Sequence, residues 1–173
     1  MDHVVDSLML NNNEIREISG LASTLTFVLP HSEPTRLLWL NLSYNYLTKI
    51  DSEILNFPLL KSLNLHGNYI SEMEEVRKLN QIGTLQSLTL NGNPIEEIKG
   101  YRLYVLGLMY TNYETLKRLD TVVISKGEFD NVMVWNQELY PKPTLRSLRP
   151  DNPKKPPAKE EDENAKNGQT QQP

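Results

Sequence analysis

The sequence predicts an α/β solenoid with short parallel strands on a concave face, helices and turns on the convex face, and a helical cap at the C-terminal end. Three observations predict it. The template L-x-x-L-x-L-x-x-N-x-L recurs four times, as VDSLMLNNNEI from Val5, LLWLNLSYNYL from Leu37, LKSLNLHGNYI from Leu60 and LQSLTLNGNPI from Leu85. Each copy adds one apolar residue three positions on, at Ile18, Ile50, Met73 and Ile98. After the fourth copy the pattern changes to a helical stripe, a partial fifth unit LKRLD (Leu116 to Asp120) and a second helical stripe.

This template is that of a leucine-rich repeat, so the predicted fold is a leucine-rich-repeat solenoid. In L-x-L the leucines point inward and the residues between them outward, because strand side chains alternate faces. No single repeat covers its own leucines; stacked neighbours bury them in one continuous core. The asparagines, Asn13, Asn45, Asn68 and Asn93, stand where the strand turns toward the convex side. A carboxamide both donates and accepts, so a stack of them satisfies backbone groups that the turn leaves unpaired. They are expected to be structural.

Between strands the chain returns along the convex side. Ser19 to Pro30 has apolar residues at 21, 25, 28 and 29, a helical spacing with Ser19 as expected N-cap and Pro30 as stop. Asp51 to Asn56 reads as one helical turn ended by Phe57-Pro58. SEMEEVRKLNQIG carries a capping box, Ser71 with Glu74, and sets Val76, Leu79 and Ile82 on one face. Tyr101, Val105, Leu108 and Met109 then form a stripe at i, i+4, i+7 and i+8, and LKRLD returns as a last strand. A second helix is expected to open on a Ser125/Glu128 capping box, with Phe129, Val132, Met133 and Trp135 as its apolar residues. These elements make residues 1–139 one repeat domain. At its other end only four residues precede Val5, so the first repeat is expected to be covered by a partner or by a further segment.

The strings GNP, GYR and LKRLD resemble the C-terminal ending of the Sds22-like class of leucine-rich repeat proteins. That class includes a phosphatase regulator, an axonemal dynein light chain and the spliceosomal U2 A-prime protein. LWLNLSYNYLTKID, LNLHGNYISEMEEVRKL, LQSLTLNGNPIEEIKGYRLYVL and Val134-Trp135 resemble one subfamily more narrowly, from about Leu8 to Trp135. The resemblance implies a repeat protein with no chemistry of its own that binds other proteins, in the cytoplasm and in the cilium or flagellum axoneme.

The outward strand positions are the candidate contact surface. One column runs Ser7, Trp39, Ser62, Ser87 and Arg118; the next Met9, Asn41, Asn64, Thr89 and Asp120; a third Asn11, Ser43, His66 and Asn91. Most are small and polar, suited to hydrogen bonds with a docked chain. Trp39 stands out, with Tyr44, Tyr46 and Tyr69 near the ascending edge. Large aromatic side chains favour binding hot spots. Two readings of Trp39 stand: it faces a partner, or it packs on its own neighbours beside Leu38 or Met9. The tyrosines likewise either meet a partner or rest their rings on the turn with their hydroxyls in water. The expected partner-binding residues are Met9, Trp39, Asn41, Tyr44, Tyr46, Ser62, Asn64, His66, Tyr69, Thr89 and Arg118.

Composition points away from chemistry. There is no cysteine, and the three histidines, His3, His31 and His66, have no metal-ligand spacing. Gly67 and Gly92 belong to repeat turns rather than to a phosphate loop, and Glu74-Glu75 and Glu96-Glu97 read as solvated helix starts. Catalytic residues, metals, cofactors and a small-molecule substrate are not expected. A formal net charge of −4 gives no general attraction to nucleic acid or to an acidic membrane surface. The start, MDHVVDSLMLNNN, shows no signal peptide, and no stretch approaches the roughly 20 apolar residues of a membrane span. The expected partner is therefore a protein, and the expected place the cytoplasm. The leading function is a non-catalytic interaction module, a structural or adaptor part of a ciliary axonemal assembly. The alternatives are a regulatory subunit docking on an enzyme such as a phosphatase, or an assembly factor of an RNA complex. Residues 140–173, a Pro/Lys/Glu-rich tail with seven of the eleven prolines, have too little apolar surface to offset ordering entropy and are expected to be largely disordered.

Overall fold

The computed structural model describes residues 5–29 and 36–139, with side chains up to residue 134. The tail from 140, Pro30, His3, His31 and the side chain of Trp135 lie outside the described residues. Six strands form one sheet in sequence order: β1 (Ser7–Met9), β2 (Trp39–Asn41), β3 (Ser62–Asn64), β4 (Ser87–Thr89), β5 (Arg118–Leu119) and β6 (Val122–Val123). The first five are parallel, and Leu8, Leu40, Leu63, Leu88 and Leu119 stand in register as one row. This is the predicted α/β leucine-rich-repeat solenoid. The row is buried from Leu40 onward, and Leu42, Leu65 and Leu90 form a second buried row beside it.

The asparagines act across repeats. Asn68 Oδ1 accepts from Leu47 N at 3.1 Å, and its Nδ2 donates to Leu42 O and Leu65 O at 2.9 and 3.0 Å. Asn45 does the same for Ile15 N, Leu10 O and Leu42 O, and Asn93 for Ile70 N, Leu65 O and Leu90 O. Each buried asparagine thus completes the backbone of the repeat before it. Asn13 is exposed and bonds only within its own turn, to Leu10 O and Asn11 O.

On the convex side α1 (Leu21–Val28) is followed by 3-10 segments Ser52–Asn56, Met73–Gln81 and Pro94–Glu97. The predicted turn at Asp51 forms, with the Asp51 side chain accepting from Glu53 N. Two predicted caps do not. Gly20, at φ +77°, is the N-cap of α1, and Ser19 Oγ instead donates to Asp51 in the next repeat. The N-terminus of α1 is capped from that repeat as well, by Glu53 Oε1 accepting from Ala22 N at 2.8 Å. The Ser71/Glu74 box is likewise absent: Glu72 is the N-cap, and Glu74 pairs with Arg77. The segment is 3-10 because its apolar residues, Met73, Val76, Leu79 and Ile82, recur every three positions, and a 3-10 helix stacks i on i+3. All four are buried. Glu75 and Glu96 are more than solvated charge, since Glu75 accepts from Ile50 N and Lys78, and Glu96 from Gly92 N.

The two ends differ. At the C-terminal end α2 (Tyr101–Leu108) buries Val105, Leu106 and Leu108, and Met109 follows them into the core. Asp120 leaves the expected outward column. Its backbone has φ +52°, and its Oδ1 accepts from Leu90 N and Asn91 N; in the earlier strands the counterparts of Leu90 N, Leu42 N and Leu65 N, donate to a backbone carbonyl of the next strand. Tyr101 donates to the other carboxylate oxygen at 3.0 Å; burial first, then this carboxylate, push the phenol far above its usual range. Asp120 and Thr121 turn the chain into β6, an antiparallel strand that the repeat template does not contain. Helix α3 (Lys126–Leu139) opens on the predicted capping box: Ser125 N and Oγ donate to Glu128, and Glu128 N donates to Ser125 Oγ. Val132 is buried, Phe129 half-buried and Met133 exposed. Arg102 ties α2 to this cap through Glu128 at 2.6 Å and Leu119 O at 3.0 Å. At the N-terminal end Leu8, Leu10, Ile15 and Leu25 are only half-buried, and α1 buries no residue.

Two outcomes test this construction. Asn68→Ala leaves the buried Leu47 N–H without its partner, at about 1–3 kcal/mol for an unpaired buried group, and removes one of the two amide donors from Leu42 O and Leu65 O. Urea denaturation should show a loss of about 3 kcal/mol, while Asn13→Ala stays within about 0.5 kcal/mol; equal losses would refute the ladder. The second outcome concerns acid. Its hydrogen bond to Arg102, with help from Ser125 N–H, holds the Glu128 carboxyl down at about 2. The folded value lies below the unfolded one, so this stabilisation is complete above about pH 4.5 and fades as pH falls toward 2. Amide exchange in α3 should therefore accelerate selectively over that window, and Glu128→Gln should abolish the selectivity.

Candidate functional site

Parallel register carries the outward residues into columns on the concave face, as the alternation of the strands requires. Ser7, Trp39, Ser62, Ser87 and Arg118 are paired neighbours from β1 to β5, and Met9, Asn41, Asn64 and Thr89 form the adjacent column. Trp39 is 56% exposed and Met9 60%, on neighbouring strands. Ser62, Ser87, Asn41, Asn64 and Thr89 are half-buried, and Arg118 is exposed at the far end. The surface is therefore high and apolar over β1 and β2, low and polar over β3 and β4, and cationic at β5.

The polar groups of the second column are oriented. Asn41 Oδ1 accepts from Ser43 N and Ser43 Oγ at 3.0 and 2.8 Å, and Asn64 Oδ1 accepts from His66 N at 3.0 Å. A backbone N–H only donates, so in both residues the oxygen is held inward and the NH2 group is the outward end.

The tyrosines brace the ascending edge. The residue before each ladder asparagine has a left-handed backbone: Asn12, Tyr44, Gly67 and Gly92, at φ +58°, +54°, +62° and +74°. Tyr44 lays its ring over Gly67, where a Cβ would come within 2.9 Å of Cδ1, and its hydroxyl lies 2.9 Å from His66 Nε2. His66 Nδ1 lies 2.7 Å from Asn91 O, so this nitrogen carries the proton and Nε2 accepts from Tyr44 in the neutral ring. Tyr46 and Tyr69 stack at 5.6 Å with 5° between their planes, and the Arg16 guanidinium covers Tyr46. A groove of about 510 Å³ runs along these tyrosines and the Asn12–Glu14 turn.

The predicted site residues thus fall into two sets. Met9, Trp39, Asn41, Ser62, Asn64, Thr89 and Arg118 share the concave face. Tyr44, Tyr46, Tyr69 and His66 share the edge, where each also contacts another repeat. The orientation of the concave asparagines escaped sequence reasoning, as did the left-handed step beneath Tyr44; the recurrence of Asn or Gly before the ladder asparagine was its one visible sign. Among the described residues no cluster of three or more His, Asp or Glu could hold a metal ion, and no helix is long and apolar enough to cross a membrane.

If Tyr46 and Tyr69 brace one another, a double-mutant cycle of Tyr46→Ala and Tyr69→Ala should give a coupling of about 0.5–1.5 kcal/mol. The pair Trp39→Ala and Tyr69→Ala should be additive within about 0.5 kcal/mol. A coupling near zero for the tyrosines would show that their stacking carries no stability.

Comparison with known proteins agrees with this architecture. The Leucine Rich Repeat family model matches residues 36–57. Leucine-rich repeat-containing protein 51 of Rattus norvegicus is 40% identical over 134 residues, which are 78% of this chain and 67% of that protein. The Bos taurus protein of the same name is 47% identical over the same shares. Leucine-rich repeat-containing protein 23 of Xenopus tropicalis is 37% identical over 70 residues, 40% of this chain and 20% of that protein. Among solved structures, a chain of the Drosophila melanogaster SNF/U2A' complex shares the fold with a TM-score of 0.62 at 22% identity, over 82% of this chain and 71% of that one. Together with the repeat architecture, the extent of the match to the rat and bovine proteins places this chain in the family of leucine-rich repeat-containing protein 51.

Proposed function

We propose that this chain is a non-catalytic adaptor of a ciliary or flagellar axonemal assembly, and that it holds its partner protein on the concave face of the sheet. The observation that carries the docking part is Trp39. A tryptophan that the fold leaves 56% exposed, next to Met9 at 60%, leaves more than half of two large apolar side chains in water at the β1–β2 end of the parallel strands, beside the polar outward residues of β3 and β4. A partner that covered both would gain roughly 25 cal/mol for each Å² of apolar surface removed from water. The leucine rows, the asparagine ladder and the cap are committed to the stack itself. The axonemal part rests on the likeness of the GNP, GYR and LKRLD ending to a class that includes an axonemal dynein light chain. A cytoplasmic protein assembled into the axoneme fits that likeness.

The test uses the full chain, tagged and expressed in a ciliated cell. The protein should remain with axonemes after detergent and moderate salt. Trp39→Ala should lower the retained fraction severalfold with a Tm within about 2 °C of the parent, as expected for an exposed residue. Recovery of the parent chain wholly in the detergent-soluble fraction would refute the axonemal role. A large drop in Tm with unchanged retention would show that Trp39 belongs to the core and not to the contact surface.

A further inference from the structure

The concave face is polarised along the stack, and its polarity defines the chemistry of what fits it. β1 and β2 carry Met9 and Trp39, both mostly exposed. At the far end of the parallel strands the outward residue is a cation: Arg118 is exposed within β5 and stands in the same column as Trp39. The Asp120 carboxylate, two residues on, is turned to Leu90 N, Asn91 N and Tyr101. Between the two ends lie Ser62, Ser87 and Thr89, with the outward NH2 groups of Asn41 and Asn64, whose oxygens are fixed inward by Ser43 and His66. Short side chains let a partner's main chain come close, and two adjacent rows of N–H donors suit its carbonyl oxygens.

We infer that the concave face takes an extended segment of a partner protein lying across the strands, with a large apolar residue seated on Met9 and Trp39 and an acidic residue reaching Arg118. The inference rests on the docking reading above and adds the partner's chemistry and direction. From β2 to β5 is three strand spacings, roughly 14 Å. An extended chain covers that distance in about four to five residues at roughly 3.3 Å each. The segment is therefore one bulky apolar residue with a carboxylate four or five positions away, its carbonyls meeting Asn41 and Asn64 between them. Opposite charge at the Arg118 end sets the direction of the segment, because the reversed chain would lay its carboxylate on the apolar Met9 and Trp39 and leave Arg118 without a counter-charge.

The experiment selects a displayed library of random 12-residue peptides on the immobilised full chain. Synthetic copies of the selected peptides are then measured by fluorescence anisotropy. The selected set should share a large aliphatic or aromatic residue with Asp or Glu four or five positions from it. Arg118→Glu should weaken those peptides about tenfold, and exchanging their carboxylate for lysine should restore binding to that variant. Trp39→Ala should weaken them by at least as much. Thermal melts of both variants establish that they are folded. Selected peptides that lack a carboxylate, or that bind Arg118→Glu as well as the parent, would overturn the inference while sensitivity to Trp39→Ala left the docking face standing. Peptides indifferent to both substitutions, or no enrichment, would count against the docking face itself.

Discussion

The fold depends on a hydrogen-bonding debt that no repeat can settle alone. When the chain leaves its strand for the convex side, the turn strands a backbone N–H and a carbonyl inside the stack. The repeat that follows supplies the missing partners with one asparagine: Asn45 for Ile15 and Leu10, Asn68 for Leu47 and Leu42, Asn93 for Ile70 and Leu65. The convex side obeys the same direction, with Glu53 accepting from Ala22 N and Glu75 from Ile50 N. In these pairs the polar completion comes from the C-terminal neighbour. The leucine rows press the repeats together, but the ladder decides which way they stack.

That direction explains why the two ends are unlike. The parallel pairing runs out at β5, so Leu90 N, whose counterparts Leu42 N and Leu65 N donate to a carbonyl of the next strand, needs another acceptor. Asp120 provides one, and a carboxylate in that place needs its own partner, which Tyr101 supplies. The hairpin into β6, the Arg102–Glu128 tie and α3 then cover the last apolar row. At the first repeat the polar groups are already served by Asn45, so what remains uncovered there is apolar: Leu8, Leu10, Ile15 and Leu25. One end of the stack lacked hydrogen bonds and received a cap built around them. The other end has its hydrogen bonds and shows half-buried side chains instead.

Features that repeat within one stretch of chain were legible in the sequence. The strand register, the columns of outward residues, the turn at Asp51 and the Ser125/Glu128 cap all follow from spacing inside a single segment. What failed was the assignment of partners across repeats. Ser19 and Ser71 look like helix caps on local grounds, yet the competing partners, Asp51 for Ser19 and Glu53 for the α1 terminus, lie more than thirty residues away. Asp120 fits an outward strand slot by counting, but the strand-end N–H groups of Leu90 and Asn91 take its carboxylate. The α-helical expectation for Met73–Gln81 lost to a strict three-residue apolar period that a 3-10 segment buries better. Tyr44 shows the same limit. A tyrosine at φ +54° is costly alone, by roughly 1–2 kcal/mol, and is held there by contacts to Gly67 and His66 of the next repeat.

The asparagines show how this fold separates structure from recognition. Asn41 and Asn64 have the same side chain as Asn45 and Asn68 and stand four residues away from them. In the ladder positions the carboxamide is used at both ends, so nothing remains for a partner. In the strand positions only the oxygen is used, by the N–H two residues on, and the NH2 group is left facing the concave surface. Composition cannot distinguish the two kinds; burial does, with Asn45 and Asn68 inside the stack and Asn41 and Asn64 half-buried. The distinction comes from the direction of a single backbone N–H, which pins one end of the amide and thereby aims the other. A binding face on this solenoid is consequently made of whatever the stack has no use for: two NH2 groups, a tryptophan and a methionine that no leucine row can absorb, and an arginine exposed on the last parallel strand.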